Sequence, residues 1–150
     1  MAEKEEVGFI AKFFDKAYEG KSILELAEAP VAAISGVSEA DAADLKKAFN
    51  INTVENLATN QYVLLAQALT TFSEYSADIL DKKFELKEFE GLANKPVDAI
   101  SGVSEGDAKL LKKAFGIDTI YELGDNKYVL IAQATVALAA LVQFIIEELL

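Results

Sequence analysis

Ile34-Ser35-Gly36-Val37-Ser38-Glu39 returns unchanged as Ile100-Ser101-Gly102-Val103-Ser104-Glu105, 66 residues further along the chain. Holding that offset without gaps, the match spreads outward from about Phe9 and Tyr75 to about Phe72 and Leu138. Roughly half of the aligned positions are identical, far beyond chance similarity. The period is longer than a two-helix solenoid unit, so each copy is expected to be a small multi-helix bundle. The expected fold is all-α, two tandem bundles spanning 1–73 and 74–150, with an apolar terminal helix in the second.

Working outward from the hexapeptide, Ser38 is a good N-cap and Asp41 stands three residues later, facing the free amides. Ala42, Leu45, Ala48 and Phe49 make the buried stripe of the helix that follows. That helix is expected to stop at Asn50, whose counterpart is Gly116; both residue types tolerate the left-handed conformation of a helix C-terminus. Asn52 and its counterpart Asp118 are expected to cap the next helix, which carries Val54 and Leu57 or Ile120 and Leu123. From Gln61 the helical pattern runs unbroken past Ile79 and Leu80 towards Phe84, with no linker rich in Pro, Gly or Ser between the copies.

In the other direction, Pro30 suits the first position of a short helix reaching Ile34. Ser22-Ile23-Leu24-Glu25 is a capping box. Val7, Ile10, Phe13, Phe14, Ala17 and Tyr18 give Glu5–Glu19 one apolar helix face, with Gly20 as its stop. Gly124-Asp125-Asn126 is too short for a calcium loop and predicts a turn ending in an N-cap. The last residues match the opening helix of a third copy. No stretch carries a convincing strand signal.

Composition narrows the function. The net charge is -11 and the pI about 4.4, which disfavours polyphosphate backbones and anionic lipid. All 14 basic residues are Lys, so the planar fork of Arg is missing. His, Cys and Trp are absent as well, which removes the usual general base, thiolate nucleophile and soft metal ligands. Asp78/Asp81 and Glu85/Glu88 place carboxylates one turn apart, but metal centres in helical bundles usually add His at such spacing. No catalytic constellation, metal or cofactor is expected. The N-terminal stretch lacks the pattern of a secretory signal, so the expected location is cytoplasmic.

The repeat resembles the helix-hairpin-helix superfamily over about Pro30–Ala58 and Pro96–Gly124. The residues that carry the likeness are Val31 and Ile34, then Gly36-Val37, then Ala42 and Leu45, followed by Ala48 to Val54. It is similar in particular to the small N-terminal helical domain of the RecA-like recombinases of archaea and eukaryotes. In nucleic-acid-binding members, a Gly-hydrophobe-Gly hairpin brings helix N-terminal amides to a phosphate, helped by basic residues. The resemblance carries that role onto Gly36 and Val37, and onto Gly102 and Val103, with Lys46, Lys47, Lys112 and Lys113 on the following helices. Ser38 and Ser104 depart from the pattern, standing where the second glycine belongs, and would cap those same amides. Carboxylates in the first turn, Glu39, Asp41, Glu105 and Asp107, oppose a phosphate. The expected role of the hairpins is to hold the fold, with nucleic-acid binding as the alternative.

The terminal helix differs most between the copies. Ser73, Glu74, Ser76 and Asp78 become Ala139, Ala140, Val142 and Phe144, so Tyr128–Ile146 is apolar nearly all round. Such a helix requires cover from its own domain, another subunit or lipid. Gln133, Gln143, Glu147 and Glu148 weigh against a membrane span. The expectation is a non-catalytic module that associates with itself or with another protein. Its expected interface is Leu138, Leu141, Val142, Ile145 and Ile146, docking beside Phe9, Phe13 and Phe14.

Overall fold

The computed structural model describes residues 12–79 and 91–149. They form α1 (Ile23–Glu28), α2 (Glu39–Phe49), α3 (Val54–Thr59), α4 (Gln61–Ile79), α5 (Glu105–Phe115), α6 (Ile120–Asp125) and α7 (Lys127–Leu149). Short 3₁₀ turns lie at Lys16–Tyr18, Val31–Ala33, Leu92–Asn94 and Val97–Ala99. The described residues contain no strand, only isolated bridges, among them Pro30 with Thr53 and, 66 residues on, Pro96 with Thr119. The fold is all-α.

Local chemistry sets the helix ends. Ser22, Ser38 and Ser104 each close a capping box, and Asn50 and Gly116 end α2 and α5 in the left-handed conformation, at φ 58° and 69°. At Ser22 the box also acts on the charge. The Glu25 carboxyl sits below its ordinary range, because the Ser22 amide and then its hydroxyl hydrogen-bond the ionised form. Asn60 and Asn126 open α4 and α7 by accepting from the amides of Tyr62 and Val63, and of Tyr128 and Val129.

Several boundaries differ from the sequence expectation. Thr53 and Thr119, not Asn52 and Asp118, cap α3 and α6, because Asn56 and Glu122 stand three residues after the threonines and complete a box with them. Asn52 and Asp118 donate their own amides to the same side chains. Pro30 and Pro96 sit just before their short helices, extended at ψ 149°, and these helices are 3₁₀. Over residues 12–19 of the predicted opening helix, Phe14 instead bridges Ile34, and the Asp15 and Ser35 amides donate to Ala33 and Phe13 carbonyls. Residues 5–11 of that helix, and the predicted run from 80 to 84, lie outside the described residues.

Gly124 and Asp125 belong to α6 rather than to a turn. Glycine at 124 answers a close approach: a Cβ there would come within 3.2 Å of the Gln67 amide nitrogen of α4. The matched position in the first copy, Ala58, tolerates a methyl and is buried.

The elements are interleaved. α2 packs on α5, α4 packs chiefly on α6, and α7 packs on α3 and α1. Each long helix therefore covers the opposite copy. Val31, Ile34, Leu45, Ile51, Val54, Leu57 and Val63 share one apolar core with their counterparts Val97, Ile100, Leu111, Ile117, Ile120, Leu123 and Val129. Beside it, the part-buried amides of Gln67 and Gln133 exchange hydrogen bonds of 2.8 and 2.9 Å. The remaining hydrogens go across the copies, from Gln67 to the Gly124 carbonyl and from Gln133 to the Ala58 carbonyl. The hydrogen bonds of the two glutamines are thus reciprocal between the copies.

Candidate functional site

Gly36 and Gly102, the glycines of the repeated hexapeptide, each lie against a tyrosine of the opposite copy. Gly36 and Gly102 have φ of +96° and +97°, a region that favours glycine. A Cβ at Gly36 would lie 2.6 Å from the Tyr128 hydroxyl, and one at Gly102 equally close to that of Tyr62. Tyr62 stacks on Phe49 of its own copy at 4.7 Å and Tyr128 on Phe115 at 4.8 Å, so each ring wedges between its own α2 or α5 and the other copy's turn. Val37 and Val103 are buried beneath the turns.

Two of the amides at each turn are engaged. Asp41 donates its amide to the Ser38 hydroxyl at 3.0 Å and Asp107 does the same to Ser104, while the Asp41 and Asp107 carboxylates accept from the serine amides. Of the four helix lysines, Lys112 donates to Asp118, whose carboxylate holds its pKa above the ordinary value. Lys113 lies 3.8 Å from Asp44, a carboxylate on the facing α2. Lys46 and Lys47 stand in the last turn of α2, where positive charge complements the helix dipole. No group of three or more acidic side chains placed to hold a metal ion occurs among the described residues.

α7 presents the larger feature. Val129, Ala132, Thr135 and Ala139 are buried, and they mark the stripe lying against the body. Outside that stripe, Leu130, Leu138, Leu141, Phe144 and Ile145 are 42 to 57% exposed, and Ile146, two turns beyond Ala139 on the stripe itself, is exposed as well. Val142 is half-buried. By length and composition α7 is also apolar enough to cross a membrane. It covers the core with one stripe and leaves an apolar surface along the rest.

Near its middle, α7 borders an apolar cleft of about 180 Å³. Ile131, Ala134, Thr135 and Leu138 form one wall, and Phe13, Phe14 and Ile23 the other. Thr135 turns its hydroxyl back onto the Ile131 carbonyl at 2.8 Å, which removes the polar atom from the wall. The structure thus brings Phe13 and Phe14 beside Leu138 within one chain, with Phe14 buried and Phe13 43% exposed. Phe9 lies outside the described residues. Leu141, Val142, Ile145 and Ile146 are further along α7 and do not line the cleft. Sequence reading missed Ile23, Ile131, Ala134 and Thr135; the capping box at Ser22 was the available signal for Ile23, and the helical period of α7 for the other three.

A second hollow lies between α4 and α6, lined by polar groups that include Gln67, Thr70, Glu74 and Tyr121. The Tyr121 hydroxyl is pushed above its ordinary pKa, chiefly by its hydrogen bond to Asp125 and that carboxylate's charge. No known family's sequence pattern, no curated protein and no solved structure matches the chain.

Proposed function

We propose that the chain is a non-catalytic interaction and self-assembly module, built from two helix-hairpin-helix-like repeats, that associates through its terminal helix. The observation that carries this reading is the exposed apolar side of α7, with Leu141 57% and Phe144 56% exposed and Ile145 and Ile146 beside them. An exposed apolar surface of that kind marks an association site. The occupied hairpin amides and the acidic charge support a protein partner over a nucleic acid.

The test is absolute mass by light scattering over a concentration series without detergent. The expected result is a dimer or larger species that Leu141→Glu returns to monomer with its helical circular dichroism intact. A wild type that stays monomeric at every concentration would remove self-assembly.

A further inference from the structure

We draw no further inference here: the strongest candidate, the exposed apolar side of α7 with the cleft that Phe13, Phe14 and Ile23 wall beside it, carries nothing further, because nothing in the structure shows what covers it.

Discussion

Gly36 makes room for a tyrosine from the other copy. Gly36 and Gly20 both have positive φ, but only Gly36 has a neighbour, the Tyr128 hydroxyl, within reach of a Cβ. Gly36→Ala is therefore expected to cost about 2–3 kcal/mol, and Gly20→Ala about 1 kcal/mol, in urea unfolding. Equal costs would show that backbone conformation alone selects the glycine. Asp44 is the opposite case, a residue that fits its place poorly. Its carboxylate is buried, Oδ2 makes no hydrogen bond, and Lys113 approaches only to 3.8 Å from a 72% exposed side chain. The matched residue in the second copy is Leu110. Asp44→Leu should raise the stability by about 1 kcal/mol, read as a higher urea midpoint at unchanged slope.

Among the elements, the long helices are locked by one polar device in an apolar setting. Gln67 and Gln133 satisfy each other and the carbonyls of Gly124 and Ala58, which fixes the register of α4 on α6 and of α7 on α3. Replacing either glutamine by Ala strands its partner's amide and one carbonyl, with an expected loss of about 1–3 kcal/mol. Replacing both by Leu should cost less than the two single losses combined, because no side-chain amide is then left stranded. Additive losses in that cycle would show that the pair is not a coupled unit. Helix starts and stops were legible as side-chain spacings, since a cap needs only residues within one turn. The threonine caps were misassigned by one position because Asn52 and Thr53 are both good N-caps, and only the third-residue partner decides between them.

For the whole molecule, acidic charge and engaged amides act together. A labelled 20-base-pair duplex is expected to show no shift with this protein even at low salt, where counterion release would favour binding most. A salt-sensitive shift abolished by exchanging Lys46, Lys47, Lys112 and Lys113 for Gln would reinstate the hairpins as a phosphate site. By itself the sequence determined the all-helical class, the 66-residue duplication and most of the caps, because each depends on spacing along the chain. It also showed that α7 is apolar nearly all round. Tertiary structure alone decided which copy each long helix covers. Two near-identical repeats offer the same apolar face to either core, so periodicity records that a face is covered and not by whom. It alone also decided which stripe of α7 is left outside, because Val129, Ala132, Thr135 and Ala139 turn inward only where α1 and α3 lie beneath them.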